Sequence, residues 1–169
     1  VLSITQDHHG FLWFGTLDGL NRYDGYKFTT YKNNAASPTT ISDDWITALH
    51  LDKRNTLWVG TLEGGLNRYN ADLDNFDRFP LTFYYNSSSY TQKSLADVPF
   101  TLTFLNDHSI TAIYEDSRGT LWVGTFGNGL FRFNRQDETF SHRPYDFLDR
   151  SGLSYNIKSI TETKSASGE

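Results

Sequence analysis

The hexapeptide Thr56-Leu57-Trp58-Val59-Gly60-Thr61 returns letter for letter at Thr120 to Thr125, and a near copy, Phe11-Leu12-Trp13-Phe14-Gly15-Thr16, precedes both. A chain that writes one apolar, strand-like hexapeptide three times is building a single unit repeatedly, and such units bury their faces on their neighbours. Aligned on Trp13, Trp58 and Trp122, the register holds in both directions. Upstream lie Val1-Leu2-Ser3-Ile4, Ile46-Thr47-Ala48-Leu49 and Ile110-Thr111-Ala112-Ile113, each followed by an aspartate, at Asp7, Asp52 and Asp116. Downstream lie Gly19 to Tyr23, Gly65 to Tyr69 and Gly129 to Phe133, then a further aromatic segment at Lys27 to Tyr31, Asn75 to Phe79 and Thr139 to Arg143. Each unit therefore carries four short strands.

Units begin at residues 1, 46, 110 and 157, a spacing of 45, 64 and 47 residues. A period in the forties with four strands per unit predicts an all-β fold: a β-propeller fragment of three four-stranded blades plus the first strand of a fourth. The whole chain, 1–169, reads as one partial propeller domain. Blade 1 covers 1–45, blade 2 covers 46–109 with an insertion at 80–109, blade 3 covers 110–156, and a truncated blade 4 covers 157–169. The first residues already sit inside a strand pattern, so the chain reads as a fragment of something longer.

The turns Asp7-His8-His9-Gly10, Asp52-Lys53-Arg54-Asn55 and Asp116-Ser117-Arg118-Gly119 open on a carboxylate that can accept backbone N–H groups and close on residues that tolerate positive φ. Gly15, Gly60 and Gly124 recur inside the second strand, where the lack of a side chain lets a neighbouring backbone or ring come close. The tryptophan two residues earlier is expected to fill the space between blades. The plain assignment of the hexapeptide is core.

Composition narrows the partners. A net charge of −5 with no basic cluster leaves nothing to displace counterions from a nucleic acid, so no nucleic-acid partner is expected. With zero cysteines there is neither a disulfide framework nor a thiolate metal site. No apolar run is long enough to cross a membrane as a helix, so this segment is not expected to insert directly. His8-His9 has no third ligand at metal spacing, and Gly64-Gly65 and Gly127-Asn128-Gly129 are hairpin turns rather than phosphate cradles. No metal and no cofactor is expected.

The stretch from Ile110 to Phe133, ITAIYEDSRGTLWVGTFGNGLFRF, resembles the two-component regulator propeller repeat, and Phe11 to Gly25 is similar to the first blade of such sensors. The resemblance covers all three blades. It implies the periplasmic or extracytoplasmic sensor part of a bacterial membrane receptor, with a histidine kinase or diguanylate cyclase as its output. The turn at Asp116 to Trp122 is also similar to the Asp-box of sialidases, where that turn is structural.

Blade topology sends the loop between strands two and three, and the connection to the next blade, to one face. These are the segments that vary in length, and binding residues favour variable loops on a rigid scaffold. The candidate ligand-binding residues are therefore Asp43, Asp44, Trp45, Glu63, Tyr84, Tyr85, Tyr90, His108, Asn128 and Tyr145. Rings beside carboxylates suit a carbohydrate, which offers C–H faces and hydroxyl donors. The alternative assignment is loop anchors and solvated surface. Asp43 and Asp44 are neighbours in one loop, unlike the separated carboxylates of a glycosidase, so no catalytic residue is assigned. The leading function is a non-enzymatic ligand sensor. The alternatives are a glycan-acting propeller enzyme, lyase or sialidase-like, and a protein-interaction scaffold. An unclosed set of blades exposes apolar faces and strand edges, which predicts a homo-oligomer.

Overall fold

The computed structural model describes residues 1–81, 109–143 and 156–163. They form three antiparallel four-stranded sheets and, among the described residues, no helix. Blade 1 contains β1 (Ser3–Gln6), β2 (Leu12–Thr16), β3 (Gly19–Tyr23) and β4 (Phe28–Tyr31). Blade 2 contains β5 (Ile46–Leu51), β6 (Leu57–Thr61), β7 (Leu66–Asn70) and β8 (Asn75–Phe79). Blade 3 contains β9 (Ile110–Glu115), β10 (Leu121–Thr125), β11 (Leu130–Asn134) and β12 (Thr139–Arg143). Strands pair in sequence order, so every blade is a meander, and the first strands touch one another, β1 against β5 and β5 against β9.

Register is the same in all three blades. Trp13 pairs with Arg22, Trp58 with Arg68 and Trp122 with Arg132 on the third strand. One face of each blade is thereby offered to the next blade in the chain, and the apolar core is divided between the interfaces. Trp13, Leu20, Ile41, Ile46, Leu57, Val59 and Phe76 form one buried cluster between blades 1 and 2. Trp58, Leu66, Phe79, Ile110, Leu121, Val123 and Phe133 belong to a second, between blades 2 and 3. The tryptophans fill these gaps as expected: Trp13 meets Tyr69 of blade 2 edge-on at 4.8 Å, and Trp58 meets Phe133 of blade 3 at 5.2 Å.

The strand glycines admit a close approach, as expected, and the approaching group is chiefly a side chain of the next unit. A Cβ on Gly15 would lie 2.8 Å from Ile46 Cγ2, on Gly60 2.5 Å from Ile110 Cγ2, and on Gly124 2.6 Å from Ile157 Cγ2. The close neighbour is the isoleucine that opens the next unit, not a ring. The ladder slips at two of these isoleucines, between Ile46 and Ala48 and opposite Gly124/Thr125 at Ile110. A slip of this kind re-aims a side chain, here onto the preceding blade.

Of the fourth unit, residues 156–163 are described. Ile157 N–H donates to Thr125 O at 2.9 Å, which seats the segment beside blade 3, but it has no ladder partner among the described residues. At the other end, the face of blade 1 that points away from blade 2 is open. Ile4 is 60% and Phe28 61% exposed, while Phe76, which stands where Phe28 does, is 3% exposed beneath blade 1.

Candidate functional site

On the variable face, the last letter of the hexapeptide closes each loop. Thr16, Thr61 and Thr125 hydroxyls donate to the carbonyls of Gly19, Gly65 and Gly129 at 2.8, 3.0 and 2.9 Å. The same hydroxyls accept the N–H groups of Asp18, Gly64 and Asn128. Asn128 is thus held by its backbone and buried at the base of its loop.

The paired aspartates also serve the backbone. Asp43 accepts Trp45 N–H on Oδ1 at 3.2 Å and Glu63 N–H on Oδ2 at 3.0 Å, tying the blade 1–2 connection to the β6–β7 loop. Asp44 Oδ1 accepts Asn33 N–H at 2.6 Å. These bonds bring Asp43, Trp45 and Glu63 together, with the Trp45 ring 42% exposed and Glu63 in solvent. Tyr84, Tyr85, Tyr90, His108 and Tyr145 lie outside the described residues.

Sequence reasoning missed two apolar residues on this face. Leu17 and Phe126 follow the capping threonines of blades 1 and 3 and are 56% and 49% exposed. The signal was the position just after each hexapeptide, where Leu17, Leu62 and Phe126 are all large and apolar at the start of a loop.

The opposite face carries the aspartate turns, and each does more than end a hairpin. Asp7 Oδ1 accepts His9 and Phe11 N–H, both at 3.0 Å, and its Oδ2 accepts the Trp13 indole N–H at 2.8 Å. Asp52 repeats the pattern with Arg54, Thr56 and Trp58, and Asp116 with Arg118, Thr120 and Trp122. The closing residues Gly10, Asn55 and Gly119 have φ of 87°, 62° and 81°, as their identities predicted. The six-residue spacing from aspartate to tryptophan is what lets a carboxylate fix the ring that fills the interface.

Between blades 2 and 3 an ion-pair cluster joins this arrangement. Arg135 Nη1 donates to Asp52 Oδ2 at 2.6 Å and Nη2 to Glu115 Oε1 at 3.0 Å, while the guanidinium carbon sits 5.4 Å from the Trp58 ring. Glu115 Oε2 also accepts Lys53 N–H at 2.8 Å, gripping the turn of the preceding blade. Burial raises the Asp52 carboxyl, but the Trp58, Arg135 and Thr56 hydrogen bonds outweigh it and hold its pKa below the usual carboxylate value. Burial lowers the pKa of nearby His50 against the opposing pull of Glu115 and Asp52. No group of three or more His, Asp or Glu able to hold a metal ion occurs among the described residues.

A repeated β2-type strand with a capping threonine, a glycine under the next unit's isoleucine and an indole tied to its turn recurs in all three blades. The sequence pattern of the two component regulator propeller matches residues 40–63 and 105–127, spanning the second and third copies of this core. Two stretches of the chain thus match the two component regulator propeller repeat. Over 42 residues the chain is 52% identical to a histidine kinase, P4, from Formosa agariphila; that match takes in 25% of this chain and 3% of the relative. The extracellular domain of a hybrid two component system from B. thetaiotaomicron superposes with a TM-score of 0.72 at 26% identity over 95% of this chain and 20% of that one. The chain thus spans about a fifth of that solved domain and 3% of the kinase. Virginiamycin B lyase from Staphylococcus aureus superposes over 87% of this chain and 42% of its own with a TM-score of 0.54. At 16% identity it shares the propeller fold alone.

Proposed function

We propose that this chain is a non-enzymatic ligand-sensing segment of a bacterial signal-transduction receptor, positioned outside the cytoplasm. The observation that carries the reading is the pairing of two component regulator propeller repeats with a fold match across nearly the whole chain to the extracellular domain of a hybrid two component system. The chemistry of the variable face supports it. Asp43 and Asp44 each spend a carboxylate oxygen on loop N–H groups, which suits a scaffold better than an acid–base pair. Trp45, flanked by Asp43 and Glu63, with Leu17, Phe126 and Asn128 in other loops of the same face, offers a ring and carboxylates to a ligand with C–H faces and hydroxyl donors. A carbohydrate has that chemistry.

Incubation with pools of oligosaccharides separates this reading from its rivals. The expected result is saturable quenching of Trp fluorescence with glycan lengths unchanged, and about tenfold weaker binding in Trp45→Ala, equivalent to about 1.4 kcal/mol. Shortened glycans would assign the fold to an enzyme, and no response to any pool would leave the face to a protein partner.

The open face of blade 1 supports a homo-oligomer as the partner in solution. Val1, Leu2, Ile4 and Phe28 are 73%, 52%, 60% and 61% exposed on or beside it, large apolar side chains of the kind that an interaction surface gathers. Light scattering is expected to report a species larger than the 19.4 kDa chain; a monodisperse monomer would reject the assignment.

A further inference from the structure

We propose that His50 makes the wall between blades 2 and 3 an acid-responsive joint, closed while the imidazole is neutral and loosened when it takes up a proton. His50 lies on β5 directly across from Trp58 of β6. Ala48, two residues back on the same strand, is buried in the cluster between blades 2 and 3, so the alternation of a strand turns His50 to the same wall. Its ring lies 6.3 Å from that of Tyr114, on β9 of blade 3. The other units place Thr5, Tyr114 and Thr161 at this position, two residues before the turn aspartate or its replacement. Unit 2 thus builds into a blade interface the side-chain type whose ordinary pKa falls between pH 5 and 8.

The surroundings suit the neutral ring and not the cation. Nε2 is buried and has no hydrogen-bond partner among the described residues. The titratable and charged groups facing the ring are Asp52 past the end of β5, Tyr114 and Glu115 on β9, and Arg135 past β11, while β6 offers Trp58, which does not titrate. Both carboxylates are already committed. Asp52 takes two turn N–H groups, the Trp58 indole and Arg135, and Glu115 takes Arg135 and the Lys53 N–H. An imidazolium here would lack an acceptor at Nε2 and would compete with Arg135 for the same carboxylates. Burial accordingly pushes the imidazole pKa below its ordinary value; Glu115 and Asp52 pull it up, Arg135 lowers it further, and the net shift is downward. A histidine with a depressed folded pKa contributes fully above its unfolded value near ~6.5, and that contribution is lost as pH falls from there through the folded pKa. The joint concerns the wall between two blades and does not depend on the carbohydrate reading of the variable face.

Histidine ring signals of the full chain, followed by NMR from pH 8 to pH 5, test the joint. His50 is expected to titrate below the ordinary value near ~6.5, and the Trp58 indole N–H to shift with the same midpoint. In His50→Thr, which installs the residue of units 1 and 4, that Trp58 shift is expected to disappear. Urea unfolding gives the energetic counterpart. From pH 7.5 to pH 5.5 the unfolding constant should rise several-fold more in the unaltered chain than in His50→Thr, with a ceiling of about tenfold, since a single proton is linked over the one pH unit below ~6.5. His50 titrating at or above its ordinary value, a Trp58 indole that does not follow it, or equal acid responses of chain and variant would each overturn the proposal. The titration of the unaltered chain decides even if the variant does not fold.

Discussion

Replacing Asp52 with alanine is expected to destabilise the chain by about 2–4 kcal/mol, the loss of a charge-assisted hydrogen bond to Arg135 together with donors left unsatisfied at the turn and the indole. The Asp52 side chain is fully buried, and its loss takes one charge-assisted bond from the Arg135 guanidinium, which keeps Glu115, and leaves the Trp58 indole N–H and two turn N–H groups without their acceptor. Asp7→Ala removes the same turn and indole bonds but takes no bond from a guanidinium, so its expected cost is about 1–3 kcal/mol, that of unsatisfied neutral donors. The double variant Asp52→Ala, Arg135→Leu should cost still more, because it also takes the guanidinium from the buried Glu115 carboxylate. Urea unfolding of the variants checks the order; equal costs at Asp7 and Asp52 would mean that the Arg135 cluster contributes nothing beyond the turn.

The pH dependence of the same interface has a definite sign. The Asp52 pKa in the folded chain is depressed below its unfolded value near ~3.9, so this carboxylate's contribution is complete above that pH and is lost as pH falls through the folded pKa. In Asp52→Ala the acid side of the stability curve should be correspondingly flatter.

Blade number, strand order and register were legible in the sequence because the second strand is nearly invariant, and a strand that repeats fixes its partners by repetition. Trp13, Trp58 and Trp122 set the alignment, and the turns at Gly10, Asn55 and Gly119 declared their positive φ through residue type. What repetition hides is everything that differs between interfaces. Arg135 lies one residue past β11, in a turn that reads as solvated, and its partners Asp52 and Glu115 are 83 and 20 residues away in sequence. The candidate site was legible in outline only. Asp43 and Glu63 do come together, but the carboxylate of Asp43 is spent on loop N–H groups, a use that residue type does not announce. Leu17 and Phe126 were passed over because single apolar letters beside a core strand look like core. Loop glycines, by contrast, advertise backbone conformation, while strand glycines advertise only closeness, and the sequence does not say to what.

That closeness has a measurable consequence at Gly60, where valine is expected to cost about 3 kcal/mol, the upper end of the range for overpacking a core. Alanine or valine at a glycine with ordinary φ restricts the unfolded chain and on that account stabilises by about 0.4–1 kcal/mol. Sterics decide the sign here. A Cβ at Gly60 would lie 2.5 Å from Ile110 Cγ2, 2.9 Å from Ile110 Cβ and 3.3 Å from Ala48 Cβ, and none of these is the loose end of a flexible side chain. Ile110 is fully buried and held by its strand between two blades, so relief requires blade 3 to back away from blade 2. At Gly15 the nearest atom, Ile46 Cγ2, lies at 2.8 Å, so Gly15→Val should be milder than Gly60→Val. The cause is isolated by a cycle with Ile110→Ala, which by itself costs about 2–5 kcal/mol by opening a cavity. If the two residues clash, the double variant is more stable than the sum of the single losses, because the valine enters the space the isoleucine leaves. Strict additivity in chemical denaturation would show that Gly60 is kept for some reason other than the isoleucine of the next unit.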